Sequence, residues 1–509
     1  MNGFVLAQLA FGPAGAALGG LGGRALAQGL PSYTPESGAS LRLLRWVPFV
    51  PSEEAAWNAN TKAFTEATGV PVQIDQESWE DVRPKAAVAA NVGSGPDMVM
   101  SWFDDPFQYP DKLIPVTELA NAIGEANGGW YDGPRGYAVK DDEFIAMPLC
   151  AIGNAICYRD SHVKAAGFDE FPKDTEGFLK LCEALKAKGT PAGFPHGKAV
   201  GDGNNYAHWL LWSHGGKLVD ESGAVAVDSA ETRAAIAYAK DLYQTFIPGT
   251  ESWLDINNNR AFLAGQVSLT ANGVSLYYAA RKDPALAEIA EDIRTVNLPV
   301  GPVGQPVELA QTSTVSIFNH CKYPNAAKAY LEFMFRSDNF NRWLEGASAY
   351  CCQPLKEFAS NPVWTSNPIH TPYSKASESL RVNGYAGPLG PASAGAMADY
   401  VLVDMFAEAV TGQRTTEDAI ANAERRLQRR VDRLRAGRRA RGDLAFQRDH
   451  GGMAAAGAGQ AVAFEVDDRE QDQRQDAQPH QPEEDLPAPR RALLAQAVQQ
   501  HLFQHIAFP

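Results

Sequence analysis

With 509 residues, 45% of them hydrophobic and 21% charged, the chain has the composition of an ordinary globular protein. Its length predicts two or three domains, each large enough to bury a core. A formal net charge of −15 excludes a broad basic surface for nucleic acid, and none of the six cysteines stands in a C-x-x-C or Cys/His spacing that would suggest a metal.

The N-terminal end carries a targeting pattern. Residues 4–21 are uncharged, apolar and rich in Ala and Gly, and Ala25-Leu26-Ala27 follows as an A-x-A cleavage site. This predicts a signal peptide over residues 1–27, cleaved near Ala27, and export to the periplasm. No Lys or Arg precedes Phe4, as an n-region usually requires. Gly and Pro within the stretch argue against a membrane anchor, and no later apolar run reaches spanning length. Residues 28–40 read as a flexible leader.

Regular structure is expected from Leu41. Residues 41–47 read as a first strand. Ser52 is placed to cap a helix whose apolar face runs Ala56, Ala59, Ala63, Phe64 and Ala67, with Gly69 ending it. Val70, Val72 and Ile74 alternate as a second strand, and residues 80–92 form an Ala/Val-rich helix closed by Gly93. Residues 97–101 are an apolar run of the kind buried on both faces of a parallel sheet. Strand, helix, strand, helix, strand at these lengths predicts a βαβαβ unit. Further helices are expected over 175–188, 230–246, 325–336 and 417–435, and short buried strands over 267–271 and 315–318. From 436 to 509 the chain has no Lys, Tyr, Trp or Cys, and hydrophobic periodicity fades. That composition predicts a disordered tail or a C-terminus without a selected function.

In an open parallel sheet, ligands bind where loops leave the carboxyl ends of the strands. Here the three successive loops carry Phe49, then Trp79, then Trp102 with Asp104 and Asp105. Aromatics and carboxylates together suit a sugar, whose C–H faces pack on rings and whose hydroxyls seek strong acceptors. Later candidates are Asn205 and Trp209 at a helix start, Trp253 between polar segments, and Asn272-Gly273 directly after a strand. Tyr350 stands in a small-residue loop ahead of Cys351-Cys352. Each could equally be a packing residue. The chain has no G-x-S-x-G, H-E-x-x-H or Walker A motif, and the Gly19-Gly20-Leu21-Gly22-Gly23 run falls in the leader. Asp104 and Asp105 are the only tempting glycosidase pair, but adjacent side chains on an extended loop point apart. Neither catalysis nor a cofactor is expected.

These features occur among motifs that resemble the extracellular solute-binding proteins of ABC importers, specifically the sugar-binding family that includes maltose-binding protein. The motifs are Ser94-Gly95-Pro96-Asp97-Met98-Val99, Asp142-Glu143-Phe144-Ile145-Ala146-Met147-Pro148, and Ala166-Gly167-Phe168 with Pro172. Ala261-Phe262-Leu263-Ala264-Gly265-Gln266-Val267-Ser268-Leu269 follows, then Leu298-Pro299-Val300-Gly301-Pro302 and Tyr323-Pro324-Asn325-Ala326-Ala327-Lys328. The resemblance runs from about residue 41 to 430. It implies a type II two-lobe fold of class α/β, each lobe a mostly parallel sheet flanked by helices. By it, lobe one would comprise 41–150 with 270–315, and lobe two 155–268 with 320–435. Hinges would pass near 148–154, Asn272 and Phe318. It further implies a solute held between the lobes, with Asn154 joining the candidates above, delivery to the transmembrane subunits of an ABC permease, and a monomeric receptor. Two alternatives stand beside it: an exported glycoside hydrolase, and a receptor for an anionic sugar that would use Arg381 or Arg342. The tail after Arg435 and the uncharged n-region depart from the family's pattern.

Overall fold

The protein is described by a computed structural model covering residues 33–309, 311–379, 381–383 and 387–432. The expected leader, its cleavage site at Ala27 and the tail from residue 436 lie outside the described residues. Among the described residues, and apart from a short hairpin over Val139–Lys140 and Glu143–Phe144, eight strands build the main sheets: β1 (Leu41–Trp46), β2 (Val72–Glu77), β3 (Met98–Trp102), β4 (Met147–Ile152), β5 (Ala155–Arg159), β6 (Leu269–Asn272), β7 (Ile293–Val296) and β8 (Gln311–Ile317). They form two sheets, one per lobe, in the orders β2-β1-β3-β8-β4 and β6-β5-β7.

In the first sheet β1 runs parallel to both β2 and β3, with Leu43 level with Ile74 on one side and Met98 on the other. Helices α1 (Pro51–Thr68) and α2 (Val82–Val92) make the two crossovers, so the βαβαβ unit forms as its spacing predicts. The remaining pairs depart from a mostly parallel expectation. β8 is antiparallel to β3 and β4, and all pairs of the second sheet are antiparallel. A buried strand is apolar on both faces whichever way it runs, so periodicity does not report direction. Direction is set here by a chain that crosses between lobes and returns.

Those crossings also move the expected boundaries. The chain passes to the second lobe at Gly153-Asn154, between β4 and β5. It returns between β7 and β8, not at Asn272, which pairs with Ala155 inside the second sheet, nor at Phe318, which lies beyond β8. Residues 293–296 therefore belong to the second sheet and 311–317 to the first. The later helices are likewise divided. After α3 (Thr175–Ala187), α4 (Asp202–Ser213), α5 (Ala230–Tyr243) and α6 (Asn257–Leu263) come α7 (Pro324–Met334) and α8 (Ser337–Gly346). These last two pack on α1 of the first lobe, where Trp57 meets the Tyr330 and Trp343 rings at 6.4 and 5.8 Å. Helices α9 (Pro391–Ala398), α10 (Val401–Val410) and α11 (416–432) follow. α10 rests against α4 and α5, and α11 is tied to the second lobe by the Arg233–Glu417 ion pair at 2.7 Å.

α1 buries a different face from the apolar one its sequence suggests. Glu53, Trp57, Asn60, Thr61 and Phe64 point inward, while Ala59 and Ala67 are exposed. The cause is Arg45, a charged residue inside β1 that is 1% exposed. Its guanidinium meets the Glu53 carboxylate at 2.8 Å, and Trp343 Nε1 donates to the same carboxylate at 2.5 Å. Asn60 donates to the Asn339 carbonyl at 2.8 Å, and the Thr61 and Tyr330 hydroxyls meet at 2.7 Å. A buried ion pair whose carboxylate also accepts from Trp343 outweighs the pull of small alanines. Ser52 does not cap α1; Pro51 starts the helix, and the Ser52 hydroxyl donates to the Gly346 carbonyl on α8 at 2.7 Å. All six cysteines are buried and free.

Candidate functional site

A narrow cavity of about 30 Å³ lies where the two lobes meet. The first lobe contributes Phe49, from the loop after β1, Trp79, from the loop after β2, and Gln311 at the start of β8. Tyr350 joins them from the loop after α8. The second lobe contributes Asp202 and Asn205 from α4, Asp255 just before α6, Asn259 within α6, and Asn272 at the end of β6. Gly153 and Asn154 line the cavity from the crossing itself.

The first wall is aromatic because it is the outer face of a stack of rings. Trp79 lies flat on Trp102, with centroids 4.0 Å apart and planes 10° from parallel. Trp46 meets both edge-on at 5.2 and 5.5 Å. Phe49 tilts against Trp79 at 5.5 Å and against Tyr350 at 6.0 Å, which extends the ring surface across the cleft.

The second wall is built on the N-terminus of α4. The Asp255 carboxylate accepts from the backbone N–H of Gly201 at 3.1 Å and of Asp202 at 2.7 Å. It thereby satisfies donors that an open helix end leaves without partners. Asp202 accepts from Asn258 Nδ2 at 2.8 Å. Burial raises both carboxyls above the ordinary range, Asp255 to about 6, and the neighbouring Asp255 charge lifts Asp202 further. Gly201 passes close to the Gln311 side chain of the first lobe: a Cβ there would stand 2.9 Å from Gln311 Oε1 and 3.3 Å from Asp255 Oδ1, and those side-chain ends would have to shift. That contact brings the lobes together, and Asn205 Nδ2 donates across it to Gln311 Oε1 at 3.1 Å. Asn272 donates to Asn259 Oδ1, fixing two more amides in the wall.

Four polar atoms in this lining have no protein partner. They are both amide atoms of Asn154, Asn205 Oδ1, and Trp79 Nε1. A buried amide left without hydrogen bonds costs about 1–3 kcal/mol, so such groups mark places where a ligand can supply what the fold does not.

Of the residues expected at a site, the structure brings together Phe49, Trp79, Asn154, Asn205, Asn272, Gly273 and Tyr350. The others lie elsewhere. Trp102 is the fully buried layer beneath Trp79. Asp104 is completely buried behind that wall, where Asn383 Nδ2 and Ser393 Oγ donate to its Oδ2 at 2.8 and 2.7 Å. Asp105 pairs with the buried Arg83 at 2.8 Å. The chain turns inward after β3, so these carboxyls serve the interior and not the cleft. Trp209 belongs to the second lobe's core and donates from Nε1 to the Pro299 carbonyl at 3.0 Å. The Trp253 ring packs over Gly193, where a Cβ would meet it at 2.8 Å. Missed by the sequence reading were Gly201, Asp202, Asp255, Asn259, Ser275 and Gln311. Asp202 stands one residue ahead of the Gly203-Asn204-Asn205 run, so a polar helix start was a signal for it, whereas Asp255 lies 53 residues on. Neither Arg342, which donates to Asn60 Oδ1 at 2.6 Å, nor Arg381 lines the cavity.

The family model for bacterial extracellular solute-binding proteins matches residues 59–372. The putative ABC transporter periplasmic-binding protein YcjN of Escherichia coli K12 is 21% identical over 310 residues, covering 58% of this chain and 68% of its own. The maltose-bound MalE3 of T. maritima superposes with a TM-score of 0.65 at 19% identity, covering 77% of this chain and 99% of its own. A solute-binding protein of Agrobacterium radiobacter K84, solved with ribitol, superposes at 0.63 and 16% identity, covering 78% and 99%.

Proposed function

Because the chain belongs to the family of bacterial extracellular solute-binding proteins, we propose that it closes its two lobes on a small sugar or polyol and hands it to an ABC-type permease. The observation that carries this reading is one cavity with a ring surface on one wall and a row of hydrogen-bonding side chains on the other. A sugar or polyol needs both, since its carbon skeleton is apolar and its hydroxyls are not. The maltose and ribitol held by two proteins of this fold agree with that demand. A solute touching both walls binds the closed form better than the open one, and so shifts the population towards closure, which a permease can recognise. The Asn205–Gln311 bond is the contact such closure would strengthen.

The same geometry supports binding without turnover. Hydrolysis of a glycoside needs a free acid and a free base, and both Asp255 oxygens already accept backbone N–H groups. An anionic solute is disfavoured by a lining that holds no Lys or Arg. We further propose that the protein is exported with cleavage near Ala27, as a monomer, which N-terminal sequencing and sedimentation would check.

A thermal-shift screen of sugars and polyols tests the reading. A solute at about a hundredfold excess over its Kd should add roughly 2.7 kcal/mol to stability, and chromatography should recover it unchanged. Consumption of the sugar, or a library in which nothing raises the melting temperature, would overturn the proposal.

A further inference from the structure

Two carboxyl groups are buried in the wall of the cleft, Asp202 and Asp255, and no Lys, Arg or His is among the described residues that line it. The start of α4, where an anionic ligand group could otherwise dock, is filled by the chain's own Asp255. Asp202 has the single amide donor Asn258. The other titratable groups facing the pair add no compensating charge. Glu80 faces Asp255, as do the Tyr400 and Tyr350 phenols, while Cys157 and Tyr373 face Asp202. The buried guanidinium of Arg83 is held by Asp105 at 2.8 Å.

A second feature points to a ligand that both donates and accepts, since Trp79 Nε1 in the same lining lacks an acceptor. Asn154 is buried in the same lining with its amide oxygen and nitrogen both without partners, and Asn205 Oδ1 also lacks a donor. The hydroxyls of a neutral polyol could satisfy these groups, but they would bring no positive charge to the Asp202–Asp255 pair, whose one charge partner is the start of α4 on Asp255.

We propose that the solute is a hydroxylated cation, an amino sugar or amino alcohol, whose ammonium group lies on the Asp202–Asp255 wall while its carbon skeleton rests on Phe49, Trp79 and Tyr350. The inference rests on the receptor reading above and narrows its substrate class. An ammonium group is a donor only, and matches a site that offers carboxylate and amide oxygens. Its proximity favours the ionised form of both acids, which burial opposes in the empty cleft. Binding of the cation therefore releases protons from the protein, and affinity rises with pH through about 6, where Asp255 ionises.

Calorimetric titration of the full chain decides it, using glucosamine against glucose, galactosamine against galactose, and glucamine against glucitol. Two buffers of different ionisation enthalpy report the protons. The amine of at least one pair should bind about tenfold or more tightly than its neutral partner, with proton release, and Asp202→Asn should abolish that preference. If the variant does not fold, the wild-type proton count carries the test. Neutral members binding as tightly as their amines would overturn the proposal and leave the receptor reading intact. Putrescine binding more tightly than every amino sugar would overturn the hydroxylated skeleton. Failure of all these solutes and of the wider sugar screen would overturn both readings together.

Discussion

The first lobe meets the cleft with rings, and the second meets it with amides and carboxyls; the two walls stand by different forces. Trp79 is the outer layer of a stack that continues through Trp102 to Trp46, so the aromatic wall is one face of the lobe's hydrophobic core. The polar wall is held by directional bonds, chiefly the N–H groups at the start of α4 that converge on Asp255. A dispersive wall resists small losses but collapses when a layer is removed. A hydrogen-bonded wall depends on each partner, and it keeps some groups unsatisfied for a ligand. Mutations should therefore separate fold from binding differently on the two sides.

The largest effect is expected beneath the aromatic wall. Trp102→Ala should cost about 3–5 kcal/mol of stability, as removal of a large buried ring does, seen as a lower midpoint in urea. A loss below about 1 kcal/mol would mean that the stack does not support the lobe. On the polar wall, Asp255→Ala leaves the Gly201 and Asp202 N–H groups without an acceptor. It should destabilise by about 1–3 kcal/mol and weaken solute binding, and unchanged melting would show that water replaces the carboxylate freely.

Asn154→Ala should behave in the opposite sense. The fold gains nothing from an amide without partners, so stability should hold or rise while affinity falls about tenfold. A lower melting temperature would place this amide among the structural groups.

The smallest effect is a pH dependence behind the aromatic wall. Burial raises the Asp104 carboxyl from 3.8 to about 6 in the folded protein. A raised carboxyl favours the protonated fold, so its contribution is full below 3.8 and is lost as pH rises through about 6. Asp104→Asn should flatten the fall in melting temperature between about pH 4 and pH 6. An unchanged slope would assign that fall to Asp255 and other buried acids.

Much of the fold was legible because it follows local pattern. β1, β2 and β3, with their two crossovers, could be read from apolar runs and glycine stops. The face of α1 could not, because it depends on Arg45 and Glu53 finding each other inside the lobe. Strand directions in the second sheet depend on where the chain crosses, which no window of sequence records. At the site, Phe49, Trp79 and Tyr350 were legible as rings in loops. Asp104 was misplaced because Asn383 and Ser393, which draw it inward, lie 279 and 289 residues away. Asp202 and Asp255 were missed because their importance arises when a helix start meets a segment 53 residues further on.

The central claim is that the solute lies between these walls and not at the acidic turn after β3. Calorimetric titration of one bound sugar, polyol or amino sugar into Asn205→Ala and Asp104→Asn tests it most directly. Asn205→Ala should lose about tenfold or more in affinity, and Asp104→Asn should bind as the wild type does. The reverse pattern, with affinity lost at Asp104 and kept at Asn205, would contradict the account.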